Sequence, residues 1–294
     1  MGEIIGAGLL AHVPTIVLPD DVRRALNDGH ESTLYSGLHQ LRSEVFDALD
    51  PDLVLVFDSH WFTTVEFVVS SADRRKGFFT SEELPRGMSS VPYDMAGSPS
   101  LAKLIAAVAD ETPACWITPI DNPHLPVTYA TLNFLPFLQD DEAWISMSTC
   151  QTATPADFAT VGRVVGEAVR LSDRRVVLVA SGALSHTFHS LSELRDHEAA
   201  GEQHIFSDAA RAADHRVIDA LARGDHRQVI EEMPEYAVHR PEGRFAHYLM
   251  MVHALGGPEC IAPGRLYSNY ENAIGTGQVH IWFDRPEHGW TGVS

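Results

Sequence analysis

Two runs of five residues, Leu53–Phe57 (LVLVF) and Val176–Ala180 (VVLVA), contain no polar side chain. A strand with one face in water alternates apolar and polar residues. An unbroken apolar run needs cover on both faces, as in a parallel sheet between layers of helices. Further apolar or β-branched runs occur at Ile4–Leu10, Val65–Val69, Cys115–Thr118, Trp144–Met147 and Val279–Phe283. Helical spacing separates many of them. Residues 33–49 carry Leu34, Leu38, Leu41, Val45, Phe46 and Leu49 at that spacing, and Leu101–Val108 suits a second helix. A third helix is signalled by TPADF: Thr154 suits the N-cap and Pro155 the first turn, with Phe158, Val161, Val165, Ala168 and Leu171 following as an apolar stripe. Residues 192–223 read as one long polar helix. The alternation predicts an α/β fold: a mainly parallel or mixed central sheet with helices on both faces. Its ligand site is expected in the crevice beyond the carboxyl ends of the strands.

The 294 residues show no internal repeat and no Gly/Ser linker, so residues 1–294 are expected to form a single domain. Segment 76–100, rich in Pro, Gly and Ser, reads as a long ordered loop over the site. The net charge of −19 argues against nucleic acid and against an anionic membrane surface, both of which ask for a positive footprint. No apolar run approaches the roughly 20 residues that span a bilayer. The N-terminus lacks the basic region of a signal peptide. Cys115, Cys150 and Cys260 are too few and too scattered for a disulfide framework, and Cys115 and Cys150, in apolar runs, read as buried thiols. These features predict a cytoplasmic protein.

Sixteen histidines is an unusual number, and three of them follow apolar strands: His12 in GLLAHVP, His60 in VFDSHWF and His186 in ASGALSHTFH. A lone histidine at a strand end is ordinarily a hydrogen-bonded turn residue. Three on one sheet edge have no explanation in core packing. If their strands are neighbours, the imidazoles converge on one crevice. Two imidazoles and a carboxylate suit a non-haem Fe(II) site with open positions, and they suit catalytic zinc equally. Candidates for the carboxylate are Asp58, Asp121, Glu235 and Glu242, with Asp58 alternatively orienting an imidazole from behind.

Six motifs occur in order between about residues 7 and 284: HVP, FDSHW, FFTSEELP, ASGALSHTF, MPEYAVHRPEGRFAHYLMM and GTGQVHIWF. Together they resemble the class III extradiol ring-cleavage dioxygenases of the protocatechuate 4,5-dioxygenase β-subunit type, nearest the branch that acts on 3,4-dihydroxyphenylacetate. The resemblance implies one Fe(II) held by His12, His60 and Glu242, the last of which would otherwise read as an exposed acid in a Pro/Gly loop. It implies His186 as the acid–base histidine. It also points to His124 as a second active-site histidine, although DNPHLP departs from the family's Asp-His-Gly. Tyr129 and His247 are candidate substrate contacts. Arg244, with Arg240, is a candidate partner for a substrate carboxylate, and Phe78, Phe79 and Tyr93 are candidates to pack on the ring. The implied reaction opens a catechol with O2, beside the hydroxyls, to a muconic semialdehyde, in a protein assembled as a homo-oligomer. Alternatives are a relative acting on another catechol or an aminophenol, a zinc hydrolase with His186 as base, and an interaction protein that keeps the fold without the chemistry.

Overall fold

A computed structural model describes residues 1–125 and 127–292. In chain order the first strands are β1 (Glu3–Leu10), β2 (Leu53–Thr63), β3 (Phe67–Ser70), β4 (Arg74–Phe79), β5 (Val91–Ala96) and β6 (Ile117–Ile120). They are followed by β7 (Ala143–Cys150), β8 (Arg175–Ser181), β9 (Gly264–Leu266), β10 (Glu271–Ala273), β11 (Thr276–Gln278) and β12 (His280–Asp284). Eight of them form the central sheet in the order β6-β3-β7-β2-β8-β1-β12-β9. Its middle is parallel: β2 pairs with β7 and with β8, and β8 with β1. Antiparallel pairs lie outward, between β3 and β7, β1 and β12, and β12 and β9. The sheet is mixed with a parallel heart, as the two unbroken apolar runs require.

Alternate residues of those runs feed two cores. Val54, Val56, Val177 and Val179 face Leu34, Leu38 and Leu41 of α1 (Thr33–Leu41), together with Trp144 and Trp282. Leu53, Leu55, Phe57, Val176, Leu178 and Ala180 face the other layer. That layer contains α2 (Pro99–Asp110), α3 (Pro155–Leu171), α4 (Asp208–Ala222) and α5 (Ala246–Ala254). Each such side chain contributes about 1.5–3 kcal/mol by leaving water, so a polar residue on either face of the run would be costly. α3 begins as its sequence predicts. Thr154 Oγ1 accepts the Asp157 N–H while the Asp157 carboxylate accepts the Thr154 N–H, a reciprocal cap.

Three expectations need correction. β2 does not stop at Phe57 but continues to Thr63 through an irregularity described below. Segment 76–100 is not a loop throughout: β4 and β5 pair as an antiparallel ribbon around the 80–90 tip. Its strands RRKGFF and VPYDMA carry charge because the ribbon stands largely in solvent, with Arg74 and Lys76 paired to Asp94. Within 192–223, only α4 is an α-helix; it is capped by Ser207, and two short turns at Leu194–His197 and Glu202–His204 precede it. Those earlier residues lack an apolar stripe to pay for helical order by packing. Among the described residues, no helix is long and apolar enough to cross a membrane.

Candidate metal centre

The registers bring the carboxyl ends of three strands level. Leu10 of β1 and Asp58 of β2 both lie beside Ser181, the last residue of β8. β8 therefore separates the two segments that bear His12 and His60. At this edge His12 is buried, and its Nδ1 lies 2.9 Å from Ser181 Oγ. Ser181 donates its own hydroxyl proton to the Ala130 carbonyl at 2.6 Å. Its oxygen must then accept from His12 Nδ1–H, which leaves the Nε2 lone pair free for a ligand. Asn133 donates to the His12 carbonyl at 2.7 Å and holds the backbone.

His60 owes its position to a bulge. Pairing between β2 and β7 runs from Phe57 beside Met147 to Phe62 beside Thr149, so residues 58–61 stand against Ser148 alone. A bulge of this kind re-aims side chains at a sheet edge. Asp58 fills it from within, fully buried. One carboxylate oxygen accepts the His60 and Trp61 N–H groups at 2.9 Å each, and the other accepts the Thr128 and Thr131 hydroxyls. Asp58 thus orients the backbone that carries His60 rather than its imidazole.

Glu242 arrives from the far side of the chain and is buried. Its Oε1 lies 3.4 Å from His12 Nε2 and 3.1 Å from His60 Nε2. The same carboxylate accepts the Ser59 hydroxyl and the Ala183 N–H, each at 2.6 Å. Burial opposes its charge, but the two imidazoles outweigh that cost and hold the carboxyl well below the usual range. Gly243, Arg244 and Phe245 follow with φ of 53°, 59° and 60°. Three successive left-handed residues, two of them bearing side chains, are strained backbone directly after the carboxylate. One donor atom from each of His12, His60 and Glu242 lies within 4.8 Å of the other two, the one such group of three found among the described residues.

Other groups gather around the three. Burial draws His60 toward the neutral form, yet its contacts with Glu242 and Glu83 prevail and push its pKa up to about 10. Tyr129 Oη lies 2.9 Å from both His60 Nε2 and Glu83 Oε2, and burial raises the Tyr129 pKa. Glu83, on the ribbon tip, also faces His60 Nδ1 at 3.4 Å. Glu83 lies within FFTSEELP, where nothing in the sequence assigns it a role. Ser59 and Ser181 are equally silent there, because serine at a strand end carries no signal until its partners are known. His186 is largely buried, which lowers its pKa, and it feels the charge of Glu242, His60 and His12. His247 is fully buried beneath Gly182, and burial lowers its pKa to about 4. Neither of its ring nitrogens has a hydrogen-bond partner among the described residues.

Two expected site residues and two of the candidate carboxylates lie elsewhere. Arg244 does not reach the three: the left-handed turn sends its guanidinium to the Cys150 carbonyl at 3.0 Å and over the Phe158 ring. His124 sits exposed in a turn fixed by its N–H to Asn122 Oδ1. Asp121 and Glu235 are exposed.

Two imidazoles and one ionised carboxylate are a donor set that fits a divalent transition metal, with His12 braced by Ser181 and Glu242 by Ser59 and Ala183. Residues 6–279 match the family described as the catalytic LigB subunit of aromatic ring-opening dioxygenase. The chain belongs to that family. It is 27% identical to 3,4-dihydroxyphenylacetate 2,3-dioxygenase of Escherichia coli over 87% of this chain and 91% of that one. It is 24% identical to the 2-aminophenol 1,6-dioxygenase beta subunit of a Pseudomonas species, over 95% of this chain and 93% of that one. An uncharacterized protein of Escherichia coli K12 has a similar crystal structure, with TM-score 0.63 over 95% of this chain and 99% of that one. At 17% identity that likeness speaks for the fold alone. The family is one of aromatic ring-opening dioxygenases, and His12, His60 and Glu242 are its candidate metal site in this chain.

Proposed function

We propose that residues 1–294 form one catalytic domain of a class III extradiol dioxygenase, which uses Fe(II) held by His12, His60 and Glu242 to open a catechol ring with O2. The observation that carries this reading is the compact donor group with His186 and Tyr129 beside it. Fe(II) bound there supplies a Lewis acid for the two ring oxygens and a redox partner for dioxygen. The chain's own residues do the rest. His186, kept neutral by burial, accepts a proton from a catechol hydroxyl at its free ring nitrogen. It returns that proton as the ring opens to the semialdehyde, which takes up both oxygen atoms. Tyr129, whose phenol stays protonated, donates its O–H to Glu83 and keeps its oxygen beside His60, holding the ribbon tip against the centre. His247 forms a polar but uncharged floor. The ribbon tip carrying Glu83 covers the mouth and limits water.

Under this reading the substrate is 3,4-dihydroxyphenylacetate or a related catechol, and the protein works as a homo-oligomer in the cytoplasm. One feature favours a second reading, an aminophenol: the Glu83 carboxylate stands beside Tyr129 and His60, where it would accept from an amino group. The test is anaerobic loading with Fe(II), then O2 uptake and absorbance with 3,4-dihydroxyphenylacetate, plain catechol, bicyclic catechols and 2-aminophenol. A yellow ring-fission product with one O2 consumed per substrate supports the proposal, and the preferred ring decides between the readings. Silence across the panel in iron-loaded protein rejects both.

A further inference from the structure

A second buried carboxylate lies behind the candidate centre and belongs to no part of the chemistry above. Asp214 on α4 has no exposed surface. One of its oxygens accepts the Ser185 N–H at 3.1 Å and the Tyr236 hydroxyl at 2.8 Å. The other accepts the Ser185 hydroxyl at 2.6 Å and the Tyr270 hydroxyl at 2.5 Å. Four donors on two oxygens satisfy the whole acceptor capacity of a carboxylate. Gly277 makes the approach possible: a Cβ there would lie 2.2 Å from Asp214 Oδ2 and 2.7 Å from Tyr270 Oη.

The donors come from chain segments that end at the site. Ser185 immediately precedes His186. The segment 184–186 lies between two others, with Leu184 N–H and the Ser185 carbonyl bonded to Gly277 on one side. On the other side Glu242 N–H donates to the Leu184 carbonyl and His186 N–H donates to the Arg240 carbonyl, each at 3.1 Å. Tyr236 heads the stretch that leads into Arg240 and Glu242. The strip bearing the proposed acid–base histidine and the strip bearing the proposed metal carboxylate are therefore bonded to each other, and both are anchored through Asp214.

We propose that Asp214 is a positioning residue that sets His186 and Glu242 in register with one another. This rests on the function proposed above, since it assigns Asp214 to the same centre, but its test does not depend on turnover. Asp214→Asn keeps the shape and, with its amide nitrogen in place of Oδ2, sets a donor against two hydroxyl groups. Ser185→Ala keeps the carboxylate and removes one donor, and serves where Asp214→Asn does not fold. In the full chain, anaerobic Fe(II) binding isotherms and deuterium exchange at the Glu242 and His186 amides are read together with kcat and KM. For Asp214→Asn the expected result is an Fe(II) dissociation constant raised about tenfold or more, with faster exchange at both amides. At saturating iron, kcat falls by a similar factor while KM stays within about twofold. Ser185→Ala shifts the same quantities in the same direction by less. A folded Asp214→Asn with wild-type iron affinity and wild-type exchange at both amides overturns the proposal, and where that variant does not fold, the same result in Ser185→Ala overturns it. If wild-type protein opens no ring, the proposed function falls, while the isotherms and exchange rates still judge Asp214.

Discussion

Two of the proposed metal ligands, His12 and Glu242, depend on neighbours that fix which atom they present. Ser181 illustrates the point, because its proton is committed to Ala130 and its oxygen therefore fixes the His12 tautomer. Ser181→Ala should weaken Fe(II) binding about 10–100-fold without unfolding the protein, measured by anaerobic titration. Glu242→Ala should abolish iron retention and ring opening together. A variant with full iron content would remove Glu242 from the ligand set. His186→Ala or His186→Phe should keep its iron and lose turnover by about 100-fold or more, and iron loss there would make His186 a ligand instead. The residues behind these predictions were unevenly legible. His12 and His60 announce themselves as imidazoles at the ends of apolar strands. Glu242 does not, because nothing in PEGR says that this acid will be buried against two histidines 182 and 230 positions earlier in the chain. Only the ordered family motifs singled it out.

Among the elements, those buried on a regular face were readable and those stabilised locally were not. β1, β2, β7, β8, α2 and α3 follow from apolar periodicity, and α3 even from its cap. The cap can be tested alone: Thr154→Ala should cost about 1 kcal/mol in urea unfolding and leave iron affinity unchanged. A matching loss of iron affinity would show that α3 reaches the centre. The β4–β5 ribbon escaped notice because it buries little, and its pairing rests on main-chain bonds and exposed ion pairs rather than on alternation. The bulge at 58–61 was invisible for another reason. A sequence read as a strand gives no account of where pairing slips, which depends on Ser148 across the sheet and on the donors that converge on Asp58. The left-handed turn at 243–245 is equally silent, since Arg and Phe ordinarily avoid that region at a cost of about 1–2 kcal/mol each.

At the scale of the molecule, buried neutral histidines make stability depend on acid. His280 is fully buried, accepts the Ala11 N–H and faces the Leu34 carbonyl, and burial lowers its pKa to about 4. The unfolded chain binds that proton near pH 6.5, so between the two values the unfolded state holds more protons. The contribution is complete above about 6.5 and is lost as pH falls toward 4, amounting to about 3 kcal/mol for a group of this kind. Unfolding free energy should drop across that window, and the His280 ring resonances should keep their neutral shifts down to about pH 5. Titration near 6.5 would contradict the burial argument. The strand order has a further bearing, on timing. β8 is made more than a hundred residues after β2, yet it inserts between β2 and β1. A growing chain that has already delivered His12 and His60 still lacks both the strand that spaces them and the carboxylate at 242. The centre can close only after long-range pairing, a slow class of event, and not before Glu242 has been made.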